Sequence, residues 1–456
     1  MTDNRKPLDR IKSNGLSRGL SLLKASIKAG SLAAKQLTNP NQTPEEKAAY
    51  ILRQVKGFTD EIGQLKGSAM KVGQLLSTYG EHFLPPEANR VLKSLQQKSP
   101  PVAWPIIEKQ ILNELGSKAK ELEIDQVPMA SASIGQVHKA QIKSTGQWIA
   151  LKVQYPGVDK AIDSDLKLLK LMLSTLNLLP KGAKMDQIFD EVREMLQQEM
   201  DYRKELGFTE YFLEALKNDD RYVVPKTYND FCTSRIMATE FIDGTEVDSE
   251  EVAQISIERR NALGRNYLEL YLNELTKYKK VQTDPHFGNY RILLDQKGLD
   301  GSFKDKIVLF DFGAIRTVPE KFLTSYKKLM QAGLSRDGSL ILEAGRDLNL
   351  LLDEDPETLN QKYVDLCLLI TEPFSLPDWE SVPENLMSED GSYDWANSDL
   401  PKRVAKKGSE IAFNFKLRSP PRETVFLDRK LGGVFIFLKV LGCKLETRSL
   451  LKKYLN

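Results

Sequence analysis

The sequence predicts an α+β fold of two lobes, in which a lobe built on a small, mostly antiparallel sheet precedes a helical lobe. The first observation is a cluster of short β-favouring segments at 122–129, 134–142 and 148–153, which turn residues separate as in a meander. The second is the helical periodicity on both sides of this cluster. Proline pairs at 85–86 and 100–101 punctuate the helices that come first, so a helical extension precedes the sheet.

This organisation divides the chain into four segments. The predicted boundaries are 1–42 for a basic amphipathic segment, 43–118 for the helical extension, 119–243 for the sheet lobe and 244–456 for the helical lobe. Within the sheet lobe, β-favouring segments at 222–228 and 234–241 are expected to complete a sheet of about five strands. A continuous helix is expected over 186–217, and the stretch 372–402, rich in proline and acidic residues, predicts a long loop.

Composition limits the classes of function. A chain of 456 residues can form two or three packed units, and 41% hydrophobic with 28% charged residues indicates folding rather than disorder. A net charge of +2 is too close to neutral to favour binding to nucleic acid. Three cysteines at distant positions argue against a disulfide framework or a zinc site, and three histidines against a multi-histidine metal centre.

The sequence shows neither a signal peptide nor the ~18 consecutive apolar residues of a membrane-spanning helix. A cytoplasmic location with at most peripheral membrane contact is therefore expected. Residues 1–40 carry eight basic and two acidic residues, a net charge of +6, and Leu16, Leu20, Leu23 and Ile27 share one helical stripe. Two interpretations are open: a helix that lies on an anionic membrane, and a helix that packs on the protein's own core.

Three small motifs occur in one order along the chain. An apolar strand ends at Lys152, Asp284 is followed five residues later by Asn289, and Asp311 opens the triplet 311–313. Each motif alone is weak evidence for a functional site, since an ordinary lysine at a strand edge or a chance occurrence of the triplet explains it equally well. In this order they are typical of a protein-kinase-like site, where a lysine holds the phosphates, oxygen ligands bind magnesium and an aspartate faces the attacking group.

A lysine on so apolar a strand needs a carboxylate partner, and the helical stretch that follows offers three. The candidates are Glu199, Asp201 and Glu205. Spacing on a helix does not decide which carboxylate meets which lysine.

Four longer motifs carry a family resemblance. They are Lys71-Val72-Gly73-Gln74, the alanine- and serine-rich stretch 130–138, Glu199-Met200-Asp201-Tyr202, and Asp284-Pro285-His286-Phe287-Gly288-Asn289. Together they resemble the signatures of the UbiB/AarF/ADCK family of atypical kinases. The resemblance runs from about residue 43 to Asp311 and continues through 428–433 near the C-terminus.

The resemblance implies a protein-kinase-like fold that binds ATP or ADP with Mg²⁺ between two lobes, through a phosphate loop rich in alanine instead of glycine. It also implies that Glu205 is the ion-pair partner of Lys152, that Asp284 is catalytic, and that Glu199 and Asp201 face Lys71. The implied nucleotide-binding residues are Ala130, Ser131, Ala132, Ser133, Gly135, Lys152 and Glu240. The implied metal ligands are Asn289 and Asp311, and the implied regulatory residues are Lys71, Gly73, Gln74, Glu199 and Asp201.

The implied function is that of a slow ATPase or a small-molecule or lipid kinase in isoprenoid quinone (ubiquinone) biosynthesis or lipid homeostasis, with an isoprenoid lipid or a membrane face as partner. Two alternatives stay open: a nucleotide-gated binding module (a pseudokinase) for a lipid or a protein, and a phosphotransferase of the aminoglycoside-kinase type. Val318 follows Gly313 by only five residues, which leaves no room for an activation segment and disfavours protein substrates.

Three positions depart from the family pattern. Gln282 replaces a histidine two residues before the loop aspartate, Phe287 replaces a proline, and Ser131 replaces an alanine. The first two predict altered packing around an otherwise intact metal loop.

Overall fold

The computed structural model of the chain describes residues 68–80, 92, 101–131, 134–175, 185–297, 303–379, 382–383, 385–414 and 421–455. The predicted basic segment 1–42, the start of the helical extension, and Ala132 and Ser133 of the predicted phosphate loop lie outside the described residues. Within the described part, helices predominate and several antiparallel sheets are present, so the predicted α+β class is confirmed.

The described strands are short. They are β1 (Leu122–Ile124), β2 (Ala130–Ser131), β3 (Gly135–Ile142), β4 (Trp148–Gln154), β5 (Tyr222–Val223), β6 (Ile236–Glu240), β7 (Lys280–Gln282), β8 (Tyr290–Lys297), β9 (Phe303–Leu309), β10 (Ile315–Thr317), β11 (Tyr393–Asp394) and β12 (Lys444–Leu445).

The described α-helices occur throughout both halves of the chain. They are α1 (Ser68–Gly80), α2 (Trp104–Leu115), α3 (Val158–Thr175), α4 (Met185–Glu199), α5 (Tyr202–Ala215), α6 (Glu250–Gln254), α7 (Ile257–Asn273), α8 (Glu320–Ser335), α9 (Gly338–Asp347), α10 (Glu357–Ile370), α11 (Leu400–Asn414), α12 (Arg422–Leu441) and α13 (Arg448–Leu455).

The described residues form two compact units. The first contains those up to Gly207 together with Lys226–Phe241, and the second contains Phe208–Pro225 and those from Ile242 onward. The first unit holds an antiparallel sheet with strand order β1-β3-β4-β6, to which β2 adds beside β3. On β4, Ile149, Leu151 and Val153 are fully buried, and the strand's two-residue period places Lys152 on the opposite face.

The helices of the first unit pack mainly on one another. Helix α1 lies against α3 and α4, and its residues Val72, Leu75 and Leu76 are buried. The helix predicted over 186–217 is interrupted between α4 and α5, because Asp201 caps α5: its Oδ1 accepts a hydrogen bond from the backbone N–H of Arg203 at 3.1 Å.

The second unit is built around α7, which contacts α12, α13, β9 and β12. Aromatic residues fill the core, and the rings of Tyr267 and Phe437 stack with centroids 3.7 Å apart. Helix α7 continues into one π-helical turn, Glu274–Tyr278, which leads directly into β7.

The prediction that 222–228 adds to the first sheet holds for only part of the segment, in which Thr227 forms an isolated antiparallel bridge with Thr239 of β6. Strand β5 pairs in parallel with β9, Tyr222 opposite Ile307, in a three-stranded sheet of the second unit with order β5-β9-β8. The fifth strand of the first sheet is instead β2. Turn and propensity signals predict that a strand exists but do not specify its partner, because pairing depends on long-range packing.

The stretch 372–402 is largely irregular, as predicted, but it contributes to the core. Its strand β11 pairs with β12, and Tyr393 and Trp395 are fully buried. The prediction of a loop therefore missed a structural role for its aromatic residues.

Candidate functional site

In the first unit, Lys152 pairs with the carboxylate that the resemblance implied. Its Nζ lies 2.6 Å from Oε1 of Glu205 on α5, and 5.0 Å from the centre of the Tyr202 ring. The side chain of Glu205 is 4% exposed, whereas that of Lys152 is 21% exposed. The lysine thus keeps a route to solvent while its partner is buried, as a cation that binds a phosphate requires.

The segment that precedes β3 is the predicted phosphate loop. Ala130 and Ser131 are exposed on β2, and Gly135 is buried at the start of β3. A Cβ on Gly135 would lie 2.5 Å from the carbonyl oxygen of Val153 and 2.9 Å from the Tyr202 hydroxyl. The glycine of this loop therefore permits close approach of β4 and α5, which is a packing role in addition to any contact with phosphate.

Glu240 ends β6 and is positioned by the backbone. It stands opposite Ile149 of β4, and its N–H donates to the carbonyl oxygen of Lys226 at 2.7 Å. This places Glu240 at the edge of the sheet that carries Lys152.

A second lysine–glutamate pair lies on the helices of the same unit. Lys71 Nζ on α1 is 2.8 Å from Oε2 of Glu199 at the end of α4, and both side chains are nearly buried at 11% and 10% exposure. Gly73 is buried and Gln74 is partly buried on α1. Of the two acidic residues at 199 and 201, the first faces Lys71 and the second caps α5.

In the second unit, the segment between β7 and β8 carries Asp284 and Asn289, and the other predicted metal ligand, Asp311, follows β9. Asn289 Nδ2 donates to the backbone carbonyl of Asp284 at 2.9 Å, which leaves its amide oxygen as an acceptor. The backbone N–H of Phe310 donates to the carbonyl of Asn289 at 3.0 Å, next to Asp311. Asp311 Oδ1 accepts from the backbone N–H of Gly313 at 2.8 Å.

Gln282 connects the two aspartates. Its Nε2 donates to the backbone carbonyl of Asp311 at 2.6 Å, and its Oε1 accepts from the backbone N–H of Asp284 at 2.7 Å. The buried amide supplies one donor and one acceptor at once, so it fixes the backbone of both residues.

The side chain of Asp284 has a cationic partner. Arg429 Nη2 on α12 lies 2.7 Å from Asp284 Oδ1, and both side chains are largely buried. This contact holds the carboxylate in one orientation, and it also occupies one of the two oxygens.

The donor set fits magnesium better than a softer metal. Asn289 and Asp311 offer an amide oxygen and a carboxylate, the hard oxygen ligands that Mg²⁺ takes one or two at a time beside phosphates and water. In the described part of the chain, no group of three or more histidine, cysteine, aspartate or glutamate side chains could hold a metal ion. A dedicated zinc-type cage is therefore not formed by these residues, whereas a site completed by nucleotide phosphates is compatible with them.

Comparison with known proteins agrees with this arrangement. A family model of the ABC1 atypical kinase-like domain matches residues 94–345. The chain belongs to this family of atypical kinases. The resemblance to the UbiB/AarF/ADCK family and the protein-kinase-like fold are thereby confirmed.

Two curated members of the atypical kinase family and one solved structure illustrate the similarity. The mitochondrial atypical kinase COQ8 of Saccharomyces cerevisiae is 32% identical over 398 residues, 87% of this chain and 75% of the yeast protein. The mitochondrial atypical kinase COQ8B of Rattus norvegicus is 29% identical over 447 residues, 97% of this chain and 79% of the rat protein. The structure of the Rv3197–erythromycin complex of Mycobacterium tuberculosis has a TM-score of 0.56 and 25% identity, and covers 90% of this chain and 97% of that one.

The departures from the kinase-family pattern have local structural explanations. Gln282 makes both hydrogen bonds described above, and the ring of Phe287 packs edge-on against Phe437 with centroids 5.9 Å apart. Both side chains thus tie the loop to its surroundings, and a packing altered relative to the family pattern stays a prediction. Among the described residues, no helix has the length and apolar character needed to cross a bilayer.

Sequence reasoning missed Arg429 and its contact with Asp284. The string 428–433 was noticed only as part of the resemblance, and its basic residues could have been signalled by their position on an otherwise apolar helix. The partners, however, lie far apart in sequence, so that the contact itself required the structure.

Proposed function

We propose that the chain is an atypical kinase-like enzyme that binds Mg-ATP and acts as a slow ATPase or as a kinase of a small molecule or lipid. One observation carries the proposal: Gln282 bonds to Asp284 and to Asp311, while Asn289 bonds to Asp284. A metal-binding aspartate, a metal-binding asparagine and a catalytic aspartate in one hydrogen-bonded unit are the parts that phosphoryl transfer needs.

In this proposal each residue has a defined task. Lys152, oriented by Glu205, holds the nucleotide phosphates; Asn289 and Asp311 hold the magnesium ion, which neutralises charge on the phosphates when it is bound. Asp284 orients the attacking water or hydroxyl group. Ala130, Ser131, Gly135 and Glu240 contact the nucleotide, and the pair of Lys71 with Glu199 restricts access of large substrates.

The physiological setting belongs to the same proposal. The curated relatives include several named atypical kinase COQ8 or COQ8B, mitochondrial, which supports a role in isoprenoid quinone (ubiquinone) biosynthesis. An isoprenoid lipid or a membrane face is the proposed partner. Cytoplasmic location stays a prediction from the sequence.

A second function, a nucleotide-gated binding module with little turnover, is favoured by one contact. Arg429 Nη2 lies 2.7 Å from Oδ1 of Asp284, so one of the two carboxylate oxygens is already engaged and is less able to orient an attacking water or hydroxyl group. Steady-state phosphate release, with and without vesicles that contain an isoprenoid lipid, separates the two functions. Turnover in wild type that falls at least tenfold in Asp284→Asn supports the enzyme; ATP binding without measurable turnover supports the binding module.

The first experiment on the enzyme is thermal unfolding of wild type and Asp311→Asn with and without Mg-ATP. A ligand at 100 times its Kd stabilises the folded state by about 2.7 kcal/mol. Wild type should show this stabilisation, and Asp311→Asn should lose most of it because a metal ligand is weakened. No stabilisation of folded wild type at millimolar Mg-ATP would overturn the proposal.

A further inference from the structure

A buried ion pair lies behind the loop of Asp284 and Asn289 in the second unit. Lys430 Nζ is 3.2 Å from Oε2 of Glu274, and the two side chains are 1% and 3% exposed. Glu274 opens the π-helical turn at the end of α7, and Lys430 lies in the middle of α12. Both side chains are enclosed by the protein, and neither residue is among those that the proposal assigns to the nucleotide, the metal ion or the attacking group.

The pair contacts both ends of the loop. At the first end, Glu274 opens the π-helical turn that leads into β7, and Gln282 is the last residue of that strand. Burial raises the pKa of Glu274, and Lys430 and the backbone of Gln282 oppose that rise. At the second end, Lys430 Nζ donates to the hydroxyl of Tyr290 at 3.4 Å. Gln282 carries the amide that bonds to Asp284 and Asp311, and Tyr290 directly follows Asn289.

The same helix contacts the loop at two further points. Arg429 pairs with Asp284, and Gly433 lies under Pro285, where an added Cβ would be well inside contact distance of the proline ring. Residues 429, 430 and 433 of α12 thus hold the segment 282–290 by a partly buried ion pair, a fully buried ion pair and a close packing contact.

Stability alone does not account for a pair of this kind. Two buried charges lose their hydration, and replacing such a pair with apolar side chains is often neutral or stabilising. The contacts of Lys430 and Glu274 with the two ends of one loop suggest that the pair instead fixes the conformation of that loop.

We infer that Lys430 and Glu274 are positioning residues, which hold the segment 282–290 so that Asn289 presents its oxygen to the metal ion. The inference rests on the proposed function, because it concerns the magnesium dependence of ATP binding. Partners that orient a metal ligand commonly change metal affinity by 10- to 100-fold when they are removed.

The test uses the full chain and the variant Lys430→Met/Glu274→Leu, in which both charges are removed so that no unpaired charge is left. ATP binding is measured by calorimetry at increasing Mg²⁺, and folding is checked by thermal unfolding. The Mg²⁺ concentration for half-maximal binding should rise about tenfold, the lower end of the usual range. An unchanged Mg²⁺ dependence in the folded variant would overturn the inference.

A second ion pair of the same unit, in which Glu372 is 3% and Arg403 30% exposed, provides the control. Arg403 contacts Glu372 through two hydrogen bonds, at 2.6 and 2.7 Å, and neither residue touches the segment 282–290 in the described contacts. The variant Arg403→Met/Glu372→Leu should bind ATP with the Mg²⁺ dependence of wild type. A rise equal to that of the first variant would show a general effect of lost stability and would also overturn the inference.

A milder variant covers the case in which the double substitution does not fold. Tyr290→Phe removes only the hydroxyl that accepts from Lys430, and it should raise the required Mg²⁺ concentration about two- to threefold, a fraction of the full effect. If this variant behaves as wild type, the inference fails. If wild type itself binds no ATP at any Mg²⁺ concentration, the proposed function fails first, and the two failures are thereby distinguished.

Discussion

The two units each contain a buried glutamate paired with a lysine, and the two pairs differ in how far they are open to water. In the first unit, Lys152 is 21% exposed while Glu205 is 4% exposed. In the second unit, Lys430 and Glu274 are 1% and 3% exposed. A lysine that water reaches can exchange part of its contact with the carboxylate for a phosphate. The lysine of the fully buried pair Lys430–Glu274, called the sealed pair below, can act only on the protein around it.

The difference also appears in the electrostatics of the sealed pair. Burial raises the pKa of Glu274, and Lys430 opposes that rise. Burial is the largest single influence on Lys430 and lowers its pKa, but Glu274, with Tyr267 and Asp284, together outweighs it and the net shift is upward. Each residue of the pair favours the charged form of the other, so removing one should be far more damaging than removing both.

The largest expected effect comes from breaking one pair at a time. Glu274→Gln should lower the free energy of unfolding by about 3–5 kcal/mol, because it leaves Lys430, which is 1% exposed, without a counter-charge. Glu205→Gln should lower it by about 1 kcal/mol, since Lys152 is 21% exposed and can be hydrated. Urea unfolding of both variants measures the difference. Equal losses in the two variants would remove the distinction between an open and a sealed pair.

A second prediction concerns the packing next to the sealed pair. Gly433→Ala adds a methyl group that collides with Pro285, and overpacking of this kind costs about 1–3 kcal/mol. The neighbouring Gly432 offers a matched control on the same helix, since a Cβ there would meet nothing within 4 Å. Gly432→Ala should be neutral or stabilise the fold by up to about 1 kcal/mol through helix propensity.

Thermal unfolding of the two glycine variants, followed by Mg-ATP titration, separates packing from function. Gly433→Ala should unfold at a lower temperature and, where it remains folded, need more Mg²⁺ for ATP binding, because Pro285 lies between Asp284 and Asn289 in the loop. If both glycine variants behaved alike, the close contact between α12 and the loop would not matter for stability.

The contrast between the pairs also shows what sequence could and could not predict. The apolar strand and the spacing of motifs singled out Lys152, and three nearby carboxylates were candidate partners. The interruption between α4 and α5 gives each carboxylate a different contact: Asp201 caps α5, Glu199 pairs with Lys71, and Glu205 pairs with Lys152. That break depends on the capping geometry of one residue, which periodicity over 186–217 did not reveal.

The sealed pair could not be predicted, because Glu274 lies on the π-helical turn after α7 and Lys430 on α12, and no pattern in the sequence connects the two residues. Packing between distant elements also explains the error over β5, which pairs with β9 and not with the sheet of the first unit. The local patterns were sufficient for the α+β class, and they singled out Asp284, Asn289 and Asp311, whose roles at a metal site stay a prediction. They were insufficient wherever a contact joins segments that are remote in sequence.

The smallest predicted effect concerns His138, a polar side chain without charge in the interior of the first unit. His138 is fully buried, its Nδ1 lies 2.7 Å from the carbonyl oxygen of Asp125, and its Nε2 lies 2.9 Å from Nε2 of Gln136. Since the carbonyl can only accept, Nδ1 carries the hydrogen and Nε2 accepts from the amide of Gln136, which also holds the backbone of Val102. A second proton on the ring would place two donors face to face.

Burial lowers the pKa of His138, and the carbonyl and charge of Asp125 only partly oppose this. Below pH about 6.5 this histidine binds a proton in the unfolded chain, whereas in the folded chain it does so only at a lower pH. The contribution of His138 to the free energy of unfolding is therefore fully present above pH about 6.5 and is lost as the pH falls below it. Between pH 7.5 and 5.5, wild type should lose about 1 kcal/mol more of its unfolding free energy than His138→Gln, which cannot take up the proton. Urea unfolding at both pH values measures the two losses. Equal losses of unfolding free energy in wild type and His138→Gln would mean that the folded state tolerates protonation of His138. Burial of this polar side chain would then lack the energetic consequence that burial has for Lys430 and Glu274.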